Sequence, residues 1–350
     1  MVFSIVRLIK VGRRDARRHM GDPKWSDIMF SHILVPLDGS TLAECVLPHV
    51  SAFARLNDAR VTLAHVLEPP TLAGKREPTD PVRWQLAANE AEQYLAEVCH
   101  RLGSGVSSAE CRMFEGQTTA NVVEYAQAEG VDLIALSSHG QSGMMGWNLG
   151  SDVHKLALHV RTSVLIVRAF AAPPSTVEPL RYRRLLLPLD GSRRAEIVLP
   201  NASHVADEHG AQLMLAHIIQ RAPTTSRLPL PESEADLEER FLTMRRRHAE
   251  RYLATVRDEL ASVGRQVDVH VYVDIDAVAR LHDLADASGT DLVVVSAHGA
   301  SGYNKWPFGT TVLNLLVYGT KPLLVIQDLP RDELKPSAAE LAAQQRRGHG

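Results

Sequence analysis

The sequence predicts two tandem doubly wound α/β domains, each a five-stranded parallel sheet flanked by helices in a Rossmann-like arrangement. Three observations carry this. The chain repeats itself at a nearly constant offset, short apolar runs alternate with longer stretches of helical period, and glycine-containing turns follow the first and fourth runs of each copy. Ligands of such sheets bind at the carboxyl ends of the strands, where the strand order switches.

Self-similarity at a fixed period decides the architecture before any local pattern does. HILVPLDGS begins at His32 and RLLLPLDGS at Arg184, which sets Asp38 and Asp190 152 positions apart. Ala43-Glu44, Val46-Leu47-Pro48 and Leu63-Ala64-His65-Val66 return at the same offset as Ala195-Glu196, Val198-Leu199-Pro200 and Leu215-Ala216-His217-Ile218. Downstream the offset is 159: Ser137-Ser138-His139-Gly140 returns as Ser296-Ala297-His298-Gly299, Trp147 as Trp306, and Gly150-Ser151 as Gly309-Thr310. The seven extra residues of copy two fall in the charged segment from Glu232 to Gly264. A longer surface helix and connection are tolerated there at little cost.

The runs Ile33–Pro36, Val61–Val66, Leu133–Ser137 and Val164–Val167 are short and nearly continuous, as in parallel strands covered on both faces. Helical spacing fills Leu42 to Leu56, Val82 to Leu102, Thr119 to Ala128 and Gly150 to His159, and Glu110 to Phe114 is a weaker strand. The order β-α-β-α-β-α-β-α-β implies a doubly wound open sheet. Copy two repeats it with strands at Leu185–Pro188, Gln212–Ile218, Val267–Val273, Leu292–Ser296 and Leu323–Ile326. Pro48 and Pro200 sit inside the first helix of each copy and are expected to kink it.

A length of 350 residues suits two domains. The expected divisions are a basic extension over 1–29, domains over 30–170 and 182–328, a proline-rich linker over 171–181 and a polar tail over 329–350. A formal net charge of -3 argues against nucleic-acid binding through a basic field. No apolar run approaches the roughly 20 residues of a membrane span. Cys45, Cys99 and Cys111 form no CxxC pair and read as reduced, mostly buried thiols of a cytoplasmic protein. In residues 1–28 seven Lys or Arg oppose three Asp, and the apolar stretch precedes most of the charges, the reverse of a signal peptide. That stretch reads as a disordered arm, or as a start placed early with Met29 the true one; a basic amphipathic anchor is the alternative.

After strand four, copy one reads Ser137-x2-Gly140-x9-Gly150-Ser151 and copy two Ser296-x2-Gly299-x9-Gly309-Thr310. Glycines let backbone amides approach a phosphate closely. A helix beginning at the second glycine presents free amides and a partial positive charge. The Ser151 and Thr310 hydroxyls add a donor, or serve only as N-caps of a tight turn. No Gly-Lys-Ser/Thr closes the loop, so it is not a Walker A sequence. After strand one, Pro36–Ser40 and Pro188–Ser192 carry Asp38 and Asp190, placed to accept from a ribose hydroxyl, to help hold a metal or to cap helix one. His65 and His217 read as satisfied core histidines, and His139 and His298 as loop-shaping ones. No Ser-His-Asp arrangement supports a catalytic triad.

These residues resemble the universal stress proteins over roughly 30–168 and 182–327. The phrase LDGS-x2-AE-x3-P is typical of that family, and its ATP-binding members carry Gly-x2-Gly-x9-Gly-Ser/Thr after strand four. Here Ser137 and Ser296 stand at the first glycine, while Gly140, Gly150, Ser151 and Gly299, Gly309, Thr310 match. The resemblance implies that Asp38 and Asp190 meet the ribose. It places adenine against Pro36, Val66 and Leu136 in copy one and against Pro188, Ile218 and Val295 in copy two. Gln141 and Ala300 stand where the family often has a basic residue, which removes a phosphate contact. Pairing through the last strand would make the two copies an intramolecular pseudo-dimer, and two chains could associate further as a homodimer.

The resulting expectation is a cytoplasmic stress-response module that binds ATP, with or without Mg, or a related adenine nucleotide, and signals to an unidentified protein partner. Two other readings remain open at this point: a slow ATP hydrolase or nucleotidyl-transferring enzyme, and a nucleotide-free scaffold in which the loops are only turns. No general base or arginine clamp argues for fast turnover.

Overall fold

The computed structural model describes residues 30–69, 71–72, 75–76, 80–103, 105–138, 155, 159–160, 162–169, 180–221, 232–300 and 307–328. Copy one contains β1 (His32–Pro36), α1 (Leu47–Asn57), β2 (Arg60–Leu67), a two-residue ribbon β3 (Thr71–Leu72) and β4 (Lys75–Arg76), α2 (Pro81–Gly103), β5 (Ser108–Glu115), α3 (Thr118–Ala128), β6 (Leu133–Ser137) and β7 (Ser163–Val167). Copy two contains β8 (Arg184–Pro188), α4 (Leu199–His209), β9 (Gln212–Gln220), α5 (Glu232–Ala261), β10 (Val267–Asp274), α6 (Ala277–Ala287), β11 (Leu292–Ser296), α7 (Thr310–Tyr318) and β12 (Leu323–Ile326). The helix expected over Gly150 to His159, the linker and both terminal segments lie outside the described residues.

Each copy forms a five-stranded parallel sheet, ordered β5-β2-β1-β6-β7 in the first and β10-β9-β8-β11-β12 in the second. The order reverses between β1 and β6, and between β8 and β11. Both switch points therefore lie beside the Asp-Gly-Ser turns, where a doubly wound sheet opens its crevice. The two sheets join into one of ten strands because β7 and β12 pair antiparallel, with Leu165 opposite Leu324 and Val164 opposite Val325. All four of these side chains are fully buried. Two last strands covered on both faces thus close each other's open edge, which would otherwise template aggregation.

Burial follows from position in the sheet. β6, β7 and β11 are buried along their whole length, as their continuous apolar runs require, whereas β5 and β10 form the outer edges and bury few residues fully or none. Pro48 and Pro200 do not kink a helix interior. A 3-10 turn, Ala43–Val46 or Ala195–Val198, comes first, and the α-helix then starts with proline in its first two positions. There the missing amide has no intrahelical partner to lose and the fixed φ suits the helix. The insertion in copy two lengthens α5 to 30 residues against 23 in α2. The buried set Ala91, Leu95, Val98 and Leu102 recurs as Ala249, Leu253, Val256 and Leu260, so the extra turns extend the amino-terminal end and leave the packing face unchanged. No helix among the described residues is long and apolar enough to cross a membrane.

Polar contacts tie the copies together beside the seam. His49 Nδ1 pairs with the Tyr182 hydroxyl at 2.7 Å, and His204 Nε2 donates to the Leu56 carbonyl at 2.9 Å. Arg168, nearly buried, donates to the carbonyls of Leu315 and Leu316 at the end of α7. Burial lowers that guanidinium to about 10, which leaves it charged at neutral pH.

Candidate functional site

The strand-one turn is built identically twice. Its first amide continues the sheet, with Leu37 N–H donating to Ala64 O and Leu189 N–H to Ala216 O, both at 2.8 Å. The aspartate then folds back on its own chain. Asp38 Oδ1 accepts from the Ser40 amide at 3.0 Å and Asp190 Oδ1 from the Ser192 amide at 2.9 Å. This is an Asx-type turn. Ser40 Oγ and Ser192 Oγ in turn accept from Ala43 and Ala195 at 3.1 Å, where the 3-10 turn starts. Neither aspartate caps an α-helix, since α1 and α4 have Val46 and Val198 at that position and no side-chain cap.

In copy two the turn after strand four meets this aspartate. Asp190 Oδ2 accepts from the Ala300 amide at 2.6 Å. Burial disfavours the charged carboxylate, but hydrogen bonds from Ser192 and Ala300 outweigh it and hold the carboxyl below its ordinary range. A Cβ at Gly299 would run into Asp190 Oδ2, so the approach requires glycine there. Gly309 is the N-cap residue of α7; its amide donates to Ala297 O at 2.8 Å and no side chain caps the helix. Thr310 is the first helical residue rather than the cap. The free amides of that first turn are therefore left for another acceptor.

A second network holds the same loop from below. His298 Nδ1 lies 2.6 Å from Asp328 Oδ1, with both side chains 1% exposed, and Arg194 Nε lies 3.2 Å from Asp328 Oδ2. It links the residue before Gly299 to the end of β12 and to the strand-one turn. Copy one has Leu42 and Ala169 where copy two has Arg194 and Asp328, so it cannot form the same network. These two residues were not among the expected site residues. Their sequence signal is a paired gain of opposite charges between repeats.

The face predicted for adenine is coherent. Leu34, Ala64, Ile134 and Leu136 point to one side of the copy-one sheet, and alternation puts Pro36 and Val66 on that same side. Leu186, Ala216 and Val295 do likewise in copy two, with Pro188 and Ile218 in phase and Phe308 packed among them. Ser137 and Ser296 point the other way. The Ser137 hydroxyl donates to Leu42 O at 3.1 Å and accepts from Cys45 Sγ at 3.4 Å, which commits it to the 3-10 turn. Ser296 Oγ is buried without a hydrogen-bond partner among the described residues, and Ile197 stands where copy one has Cys45. Gly140, Gly150, Ser151, His139, Gln141, Trp147 and Trp306 lie outside the described residues.

His65 and His217 are only half satisfied. Burial lowers both imidazoles below their usual value, with the Leu37 and Leu189 backbone opposing, while each Nδ1 is buried without a partner. The thiols also depart from expectation, since Cys111 is exposed and Cys45 and Cys99 are half-buried. All three are free.

Doubly wound sheets with crevices at two switch points, and in copy two a carboxylate meeting a glycine turn, define a Rossmann-like α/β protein. Comparison with known proteins narrows the class. The model of the universal stress protein family matches residues 29–168 and 181–327. The chain belongs to the universal stress protein family. A universal stress protein A homolog of Coxiella burnetii is 30% identical over 136 residues, 38% of this chain and 92% of the relative. A universal stress protein of Methanocaldococcus jannaschii is 26% identical over 156 residues, 40% of this chain and 96% of its own. Among solved structures, a universal stress protein from Archaeoglobus fulgidus aligns with a TM-score of 0.60 at 18% identity, over 85% of this chain and 98% of that one. It supports the fold alone.

Proposed function

We propose that the protein binds an adenine nucleotide, ATP in the first instance, at the carboxyl edges of its two sheets and acts as a cytoplasmic stress-response module. The reading assigns the base to Pro36, Val66 and Leu136 or to Pro188, Ile218 and Val295. It gives the ribose to Asp38 or Asp190 and the phosphates to the turns at Gly140, Gly150 and Ser151 or at Gly299, Gly309 and Thr310. The basic extension, domains, linker and tail divide the chain at 29, 170, 181 and 328. Mg would arrive with the triphosphate.

The observation that carries the proposal is the meeting of Asp190 with the Ala300 amide at 2.6 Å. It supports the reading by bringing the strand-one carboxylate and the strand-four turn into one crevice, beside an apolar face. Among the described residues no group of three or more His, Cys, Asp or Glu could hold an ion. Binding, by ordering the glycine turns, would reshape a surface read by a protein partner or a second copy of the chain.

Nucleotide at 100 times its Kd would stabilise the native state by about 2.7 kcal/mol. Melting with ATP, ADP and AMP, with and without Mg, should raise Tm for at least one of them. Asp38→Ala and Asp190→Ala should reduce the number of sites measured by equilibrium dialysis. No change in Tm at millimolar nucleotide sinks the reading and leaves the scaffold alternative standing.

A further inference from the structure

Cys99 lies on α2 and Cys111 on β5, the outer edge strand of copy one. Cys111 Sγ is 3.3 Å from the Leu95 carbonyl oxygen. In an α-helix that carbonyl is the acceptor for the amide four residues on, here Cys99. The sulfur of Cys111 therefore sits against the helical turn that carries Cys99. Cys111 is exposed and Cys99 half-buried, so a small reagent reaches the pair from the sheet edge.

Sulfur is not what this helix–strand contact needs. Copy two packs the same helix on the same strand with Arg257 and Val269 at the matching positions, Val269 partly buried against the core and Arg257 pairing outward with Asp258. Cys45 is a contrast within copy one. It accepts burial beside Ser137, and that burial pushes its thiol up to about 11, away from reactivity. The contact with Cys111 instead holds the Cys99 thiol below its usual value, against the opposing effect of burial. A lowered thiol with a second thiol beside it is the arrangement that favours oxidation to a disulfide over further oxidation.

We propose that Cys99 and Cys111 form a hydroperoxide-reactive dithiol site that closes to an intramolecular disulfide between α2 and β5. One thiol sulfur attacks a peroxide oxygen, forming an S–O bond as the O–O bond breaks, and the thiol proton leaves with the released alcohol or water. The second sulfur then displaces the sulfenic hydroxyl, forming the S–S bond and releasing water that carries the second proton. Two thiols lose two electrons in total and one hydroperoxide gains them.

The test uses the full chain, reduced and then exposed to a small excess of hydrogen peroxide, with free thiols counted and peptides mapped by mass spectrometry under non-reducing conditions. Thiols should fall from three to one per chain. A peptide pair linked through Cys99 and Cys111 should appear, Cys45 should stay free, and dithiothreitol should restore all three. Cys99→Ser and Cys111→Ser should each abolish the link and leave the remaining partner open to a sulfenic-acid trap. The proposal fails if both cysteines stay reduced, if either passes to sulfinic or sulfonic acid without the link, or if the disulfides join separate chains. The wild-type result decides the matter even if a serine variant does not fold.

Discussion

The two copies share their strand order and their Asp-Gly-Ser turn but secure the strand-four loop differently. Copy two has His298, Asp328 and Arg194 beneath it, a charged network enclosed by the protein. Copy one has Leu42 and Ala169 at the last two positions and no means of building that network. A duplicated fold can keep its scaffold while one repeat exchanges side chains that only its own loop feels. The seam between the copies is by contrast symmetric, with Leu165 facing Leu324.

That symmetry is the first thing to break. Leu165→Ala and Leu324→Ala each remove a fully buried side chain from the centre of the sheet. Each should cost roughly 2–5 kcal/mol in chemical denaturation. Costs that simply add would be surprising for touching residues, so the double variant should deviate from the sum by more than about 0.5 kcal/mol. A large inequality between the single variants would show that one copy supports the seam more than the other.

The loop network comes next. Removing one member of a buried ion pair costs about 3–5 kcal/mol when the other charge is left stranded. Arg194 is 35% exposed and still faces water, so the loss for Asp328→Ala should lie near or below the bottom of that range. Arg194→Leu combined with Asp328→Ala recreates the residues of copy one and should cost less than the two single changes together. Equality with the sum would mean that Arg194 and Asp328 do not act as a unit.

A titration separates the copies at the helix one interface. His49 and Asn201 occupy matching positions, His49 half-buried and Asn201 buried. Burial lowers His49 to about 4. An unfolded chain binds a proton at this residue near pH 6.5 while the native one stays neutral, so stability falls as pH drops from about 6.5 to about 4. The full window is worth roughly 3 kcal/mol. His49→Asn, which copies the second repeat, should flatten this part of the curve measured by urea denaturation between pH 7 and 4. An unchanged slope would assign the acid sensitivity elsewhere.

The sequence made the strands legible because the central ones are buried on both faces, and Leu133–Ser137 can hardly read as anything else. The duplication supplied the helices and the placement of both aspartate turns. Other features resisted. Pro48 reads as a kink only if one continuous helix is assumed, and the chain instead changes helix type one residue earlier. Ser137 looked like part of the loop, but strand alternation turns its hydroxyl to the opposite face from Leu136, onto Leu42. The His298–Asp328–Arg194 network joins residues 30 or more positions apart whose individual types are ordinary for loops. Only the comparison of repeats hints at it.

The smallest expected difference lies at the end of helix one. Copy two ends α4 on Gly210 at φ 66, the left-handed conformation that closes many helices. Copy one adopts it with Asp58 at φ 51, the one non-glycine residue with positive φ among those described. A Cβ in that conformation costs roughly 1–2 kcal/mol, and aspartate tolerates it better than most residues. The Asp58 carboxylate also accepts a hydrogen bond from the Ser107 hydroxyl, an exposed contact that offsets part of the strain. Gly210→Ala should therefore cost about 1 kcal/mol, since the nearest atom to the added methyl, on Arg181, is in ordinary contact at 3.6 Å and the penalty is torsional. Asp58→Gly trades relief of strain against loss of the Ser107 contact and should move stability by less than about 0.5 kcal/mol. A gain above 1 kcal/mol in Asp58→Gly would show that the Ser107 bond contributes nothing and that copy one carries its left-handed aspartate at full cost.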